Sequence, residues 1–404
     1  MKMGRRIGGW ALGLAAVWGC LPAGAQQART FVQNGQQVRE LQGEIPLAMP
    51  AAVRVQAQAG SVELRPQSGS GNTLGYSLRF EVAAGPEAVA YLDSWPVAIE
   101  RRGEEISIAT GAPSERGDRQ SLQRGQLTLV LTVPVNVRRV EAYTAVGDVS
   151  AQRLAMPLEL VTRAGNLHAD ALRAALVAVA SSGNIVIGRA EEVTAHSAGS
   201  IRVERADGPV ELTTTGGEVV LGAAAGMARI DSAGGGIEIG QAAGPVMAYS
   251  QGGNIRLTSA RALAQLQTEG GNITVEDAQT LRCATRSGDI VLAHLRGQVD
   301  AQTGSGRIEA AFAPGARLAA SELVSRRGAV EVRVPPSVGS DIQAQIVAPE
   351  GHRIQSAYAA LAQPAGAQTM QAPGLVQWRG PVNGGGATLR LLATGGDIVI
   401  RNPE

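Results

Sequence analysis

The stretch Val246-Met247-Ala248-Tyr249-Ser250-Gln251-Gly252-Gly253-Asn254-Ile255-Arg256-Leu257 returns eighteen residues later as Ala264-Gln265-Leu266-Gln267-Thr268-Glu269-Gly270-Gly271-Asn272-Ile273-Thr274-Val275. On both sides of the glycine, aliphatic and variable residues alternate, the period-two signature of a strand with one buried face. Each unit is therefore strand, turn, strand, turn. Eighteen residues are too few to bury a face alone, so equivalent strands must stack in parallel on the next copy, about 4.8 Å away.

Working outward, the same glycine recurs at Gly147, Gly165, Gly183, Gly199, Gly217, Gly235, Gly253, Gly271, Gly288, Gly306 and Gly328. Further copies fall at Gly60 and Gly396, each separated from the array by an insertion. Two residues after every array glycine stands an aliphatic residue, from Val149 and Leu167 through Ile308 to Val330, and another follows two further on. The expected fold is all-β: a single-stranded parallel β-solenoid with rungs of about 18 residues, capped by β-rich segments and one short N-terminal helix.

Gly-Asn, Gly-Asp and Gly-Gly pairs at the turn suggest positive φ at Gly183, Gly253, Gly271 and Gly288. A hydroxyl three residues ahead of the glycine, at Thr214, Ser232, Ser250, Thr268, Thr285 and Thr303, suggests a ladder that bonds turn backbone. The remaining chain divides into a 1–25 secretory signal, a flexible 26–44 segment, a 45–140 rung with insertion and cap, the 141–334 array, and a 335–404 loop and cap. Within the first cap, Tyr76 to Val82, Ile106 to Ile108 and Leu127 to Val133 read as strands, and Pro86 to Trp95 as a short amphipathic helix. Past Pro335-Pro336 a Pro/Ala/Gln-rich loop runs to about Pro381, and Thr388 to Ile400 returns as strand pairs that protect the last edge.

Basic Lys2, Arg5 and Arg6, the apolar run Ile7 to Leu21, and Ala23-Gly24-Ala25 before Gln26 read as a signal peptide cleaved between Ala25 and Gln26. A retained anchor would need about twenty apolar residues. Val17-Trp18-Gly19-Cys20 offers a rival route, a degenerate lipobox with a lipid anchor on Cys20. Without the leader, 33 basic face 35 acidic residues, the basic ones all arginine and scattered, so nothing recruits nucleic acid. The expectation is an exported protein of the periplasm, cell surface or extracellular space.

The Ser/Thr-x-x-Gly-Asp/Asn-Ile/Val repeats, Val133-Pro134 ahead of them, Glu331-Val332-Arg333-Val334-Pro335-Pro336 after them and the closing Thr394-Gly395-Gly396-Asp397-Ile398-Val399-Ile400 together resemble the bacterial family called "putative adhesin". The resemblance covers roughly residues 45 to 404. It implies a β-solenoid body and carries over no catalytic residues.

The outward row after the glycines reads Ser150, His168, Val186, Arg202, Val220, Glu238, Arg256, Thr274, Val291, Glu309 and Glu331. No carboxylate cluster of the kind used by solenoid lyases and hydrolases stands out there. Glu238 and Arg256 read as an exposed ladder pair. The histidines His168, His196, His294 and His352 fall at different phases of the repeat, and Asp148, Asp289 and Asp397 sit far apart, so neither a metal nor a calcium site is expected. Cys283 occupies a slot equivalent to Leu212, Ile230 and Ala248 and reads as a buried small hydrophobe. With only Tyr249 and Phe312 aromatic inside the array after Gly147, any carbohydrate contact is expected in the caps, near Trp95 or Trp378.

No catalytic, cofactor or metal residues are assigned. The sequence favours a non-enzymatic binding or scaffold protein of the envelope or surface with a protein or polysaccharide partner. The alternatives are a solenoid-type carbohydrate-active enzyme and a periplasmic envelope-stress scaffold.

Overall fold

Alternating burial runs through nearly every repeat, as in Val210–Thr214 and Val219–Ala224, where Val210, Leu212, Val219 and Leu221 are at most 3% exposed. The computed structural model describes residues 27–402 apart from 48, 70, 112–124, 363–369 and 373. The signal peptide, the Ala25-Gln26 cleavage site and the Cys20 lipobox lie outside the described residues. Strands ahead of the repeat glycine stack in parallel on one another, for example Val210–Thr214 on Ala228–Ser232 and that on Val246–Ser250. Strands after the glycine form a second parallel ladder, such as Val219–Ala224 on Ile237–Ala242.

The two ladders face each other across a core of small aliphatic side chains, and a large one buried there contributes roughly 1.5–3 kcal/mol. Two long strands, Ile255–Thr268 and Ile273–Ser287, run without a break from one ladder into the other. Their neighbours instead turn at Gly208, Gly226 and Gly244. There a β-carbon on Gly244 would sit 2.4 Å from the Gly226 carbonyl oxygen. The turn in these rungs therefore depends on stacked glycines, and the sequence around Arg261-Ala262 has none.

The repeat glycines themselves form an unbroken column. A β-carbon on Gly147 would lie 2.3 Å from the Gly60 oxygen, on Gly271 2.1 Å from the Gly253 oxygen, and on Gly396 2.1 Å from the Gly328 oxygen. This corrects the expected reason for glycine. Gly183 does adopt a φ of 137°, but Gly253, Gly271 and Gly288 are outside the left-handed region. What excludes a side chain at those three is the backbone of the rung before.

On most rungs the carbonyl brought close in this way accepts a hydrogen bond from a side-chain hydroxyl. The Thr214 hydroxyl donates to the Gly199 oxygen at 2.7 Å, Thr268 to Gly253 at 3.0 Å, Thr285 to Gly271 at 2.9 Å and Thr303 to Gly288 at 2.9 Å. Ser250 bonds the Gly235 oxygen, whereas Ser232 turns to the Gly235 oxygen of its own turn. Beside this ladder runs a second one, in which the Asn254 Oδ1 accepts from the Asn272 amide and the Asn272 Oδ1 from the Asp289 amide, both at 2.8 Å. Asparagine and aspartate recur after the glycine because their short carbonyl arm reaches the next rung's amide.

Both ends are built out of sequence order. The rung Ala51–Ala57 with Ser61–Pro66 lies between the array, which it meets at Val137–Val146 and Val149–Gln152, and a later rung made of Glu105–Thr110 and Gln126–Val133. At the other end, Ala387–Ala393 and Ile398–Arg401 slot between Ser321–Ser325 with Val330–Arg333 and the earlier Ser340–Val347 with Ile354–Ser356. Antiparallel strands then finish both edges at the first end and the Ser340–Val347 edge at the other.

Residues 27–44 of the segment expected to be flexible instead belong to a hairpin. Gln27–Gln33 and Gln36–Pro46 pair in antiparallel register around Asn34-Gly35, whose φ values of 49° and 74° suit a tight hairpin turn. The second strand adds to Thr73–Ala83, and Arg29 holds the mostly buried Glu40 at 2.6 Å. The short helix spans Ala88–Asp93, burying Ala88 and Leu92, while Arg39 donates to the Leu92 oxygen at 2.8 Å. Among the described residues no helix is long and apolar enough to cross a membrane.

Candidate functional site

On the outer face of the ladder ahead of the glycines, alternate residues point to solvent and line up one per rung. One such column reads Tyr249, Gln267, Ala284 and Gln302 on four successive rungs. A parallel column reads Met247, Gln265, Arg282, Asp300 and Glu322. Between long side chains, Ala284 leaves a low point, and an open concavity of about 750 Å³ forms there.

Its walls mix an exposed aromatic ring, a thioether and amides. Tyr249 is 36% and Met247 42% exposed, large values for residues that could have been placed inward. The charges within the concavity are matched. Arg229 Nε lies 3.0 Å from Asp231 Oδ2, Arg282 Nε 3.4 Å from Asp300 Oδ2, and Arg390 Nη1 3.4 Å from Glu322 Oε1. Gln298 also donates to Asp300 at 3.1 Å. A surface so paired exerts little net field on a ligand and offers hydrogen bonds and an aromatic face instead.

Beneath the floor, Cys283 is buried in register between Leu266 and Ala301. Burial, with the Asp300 carboxylate adding to it, pushes the thiol far above the ordinary range, so it is held neutral. The structure thus keeps it out of the chemistry of the concavity.

Several sequence expectations about contact residues are redrawn. Trp95 is only 5% exposed and packs edge-on against Phe80 at 5.3 Å, so it belongs to the cap's core and presents no surface. Trp378 packs one side against the core and stays partly exposed, so of the two it alone keeps some surface for contact. Glu238 and Arg256 are neighbours in register but form no ion pair within 4.0 Å. Both side chains belong to the opposite outer face and do not line the concavity. His352 meets Asp397 at 3.3 Å in the C-terminal cap, and Asp397 Oδ1 also accepts the Arg353 amide at 2.9 Å. The carboxyl of Asp397 is lowered chiefly by that backbone bond. Among the described residues no three histidine, cysteine, aspartate or glutamate side chains gather as a metal site.

The concavity lies off the row that follows the glycine, on the other ladder. Aligning the residue before each ladder hydroxyl, Thr213, Asp231, Tyr249, Gln267, Ala284 and Gln302, would have displayed it.

No family model matches the chain, and no curated protein does. Among solved structures, a "putative cell adhesion protein" from Clostridium sporogenes is 8% identical, covering 90% of this chain and 99% of its own, with a TM-score of 0.19. A "putative adhesin" from Bacteroides fragilis is 17% identical, covering 62% and 95%, with a TM-score of 0.27. A "putative lipid binding protein" from Parabacteroides distasonis is 12% identical, covering 70% and 92%, with a TM-score of 0.25.

Proposed function

We propose that this chain is a non-enzymatic, exported protein of the cell envelope that binds or scaffolds a protein or polysaccharide partner along the outer face of its rod. The observation that carries the reading is the solvent-facing strip around Tyr249, where one outward side chain per rung, the Tyr249 ring among them, stands on a backbone locked by two hydrogen-bonded ladders. A surface that is rigid and periodic suits a partner that is itself extended. The N-terminal leader motif supports export.

The enzyme alternative has one observation in its favour. Asp300 and Glu322 are register neighbours, so two carboxylates stand on adjacent rungs of one outer face, and glycoside hydrolysis uses a carboxylate pair. Each is held by its own arginine, an arrangement that suits structure more than proton transfer. Release of reducing ends from a polysaccharide, abolished by Glu322→Gln, would establish that alternative.

The test of the main reading is antibody labelling of a C-terminal epitope tag on intact and permeabilised cells of the source organism. Labelling of intact cells supports adhesion or matrix binding at the surface. Labelling only after permeabilisation supports the periplasmic scaffold, and signal confined to the cytosol refutes both.

A further inference from the structure

Resting on that reading, we infer that the concavity binds a linear, neutral polysaccharide lying along the rod axis, with one sugar face stacked on Tyr249. Three features point to this chemistry. The first is the pairing of an exposed ring with amides. Tyr249 supplies an apolar face with a polar edge, and Gln267 and Gln302 each offer a donor and an acceptor, the complement of a ring that is apolar on its faces and hydroxylated at its rim.

The second is spacing. Gln267 and Gln302 lie two rungs apart with Ala284 between them, an advance of about 9.6 Å, close to that of one extended disaccharide. A chain with a disaccharide repeat would present the same hydroxyl edge to both amides. The hollow over Ala284 would take the intervening substituent.

The third is charge. Arg282 is engaged by Asp300 and Arg229 by Asp231, so neither cation stands free to select a uronate or sulfate. An acidic polymer would have to break those pairs. Peptide partners fit less well, because the column offers one amide contact every second rung and no continuous strand edge: every backbone group there is already in the ladder.

The test is calorimetric titration of the purified chain with cellohexaose, chitohexaose and maltohexaose, all neutral, and with oligogalacturonate as the charged comparison. At least one neutral probe should bind with an affinity insensitive to added salt. Tyr249→Ala should weaken it by about ten-fold or more, and Tyr249→Phe should restore most of the loss. Glu238→Ala, on the opposite outer face, should leave it unchanged. Tyr249 is half-exposed, so the variants are expected to melt with the parent, which a thermal scan verifies.

Three results would overturn the inference: no neutral probe binds, binding survives Tyr249→Ala, or oligogalacturonate binds more tightly in a salt-dependent way. Envelope labelling without glycan binding would leave the binding-protein reading standing and remove this one. Absence from the envelope would remove that reading whatever the sugars do.

Discussion

Replacing Gly253 by alanine tests the column of stacked glycines most directly. The new β-carbon would stand 2.2 Å from the Gly235 oxygen, 2.4 Å from the Gly235 carbonyl carbon and 2.6 Å from the Gly236 nitrogen, all of them backbone atoms. Ordinary contact needs an opening of about 1 Å between rungs, and core-like overpacking of that kind costs about 1–3 kcal/mol. The opening falls where three hydrogen bonds converge: Thr268 to the Gly253 oxygen at 3.0 Å, Ser250 to the Gly235 oxygen at 3.1 Å, and the Gly253 amide to Ser250 at 2.9 Å. At about 1 kcal/mol each, their weakening gives a similar figure, so a loss of about 3 kcal/mol is expected. Gly252→Ala is the internal control, since its β-carbon would be 3.8 Å from the Gly234 oxygen and its backbone is not left-handed. That variant should be neutral, or more stable by up to about 1 kcal/mol through the unfolded chain.

Urea titration followed by circular dichroism compares the midpoints. Rungs couple only to their neighbours, so amide exchange at Ile255 and Ile273 is measured alongside to catch local opening. Equal midpoints and equal protection in the two variants would refute the steric account of the column.

Thr268→Val removes a hydroxyl that is 1% exposed and bonded both to the Gly253 oxygen and, at 3.1 Å, to the Gly271 amide, so it should cost about 1–3 kcal/mol in the same titration. Thr268→Ser should recover most of that. The Cys283 thiol should resist an aromatic disulfide reagent at mild alkaline pH and react once the chain is unfolded in urea. Because burial raises its folded value above the unfolded one of about 8.5, the contribution is whole below that pH and is lost as pH climbs from there. Stability of Cys283→Ala should therefore fall less steeply in alkali than that of the parent. Asp397→Ala deletes the acceptor of the Arg353 amide and the partner of His352, and should raise amide exchange at Ile354 and Gln355 without moving the array. The folded carboxyl of Asp397 is lowered, so in the parent the same loosening should appear as pH falls through the acidic range.

The ladders were legible because they rest on period-two burial and on one glycine per rung, patterns repeated often enough to fix register. Thr144, Thr162, Ser197 and Ser325 join the expected hydroxyls in the same role, each bonding the glycine carbonyl of the rung it follows. What escaped is three-dimensional in origin. Backbone contact between Gly253 and Gly235 arises only after stacking, so local turn chemistry supplied a φ-based reason that holds at Gly183 and fails at Gly253. The hairpin at Asn34-Gly35 carried its signal in two residues, and the strand Gln27–Gln33, exposed except for the half-buried Phe31, has no buried alternation to betray it. Tyr249 was visible as an aromatic but not as a wall, because the hollow beside it is defined by what Ala284 lacks on the next rung but one.

The interleaved ends bear on how the chain can be completed as it emerges N-terminus first. Rungs through Val330–Arg333 can assemble in order, each on the one already made. Ser340–Val347, though synthesised next, has its parallel partner in Ala387–Ala393, which has yet to appear. Until then the growing rod keeps a live templating edge. The late residues do not extend the structure; they enter between two layers already present in the chain, as a keystone enters an arch. A stop before Ala387 would thus subtract an inner layer and strand the outer one, leaving the array's last edge open to another molecule.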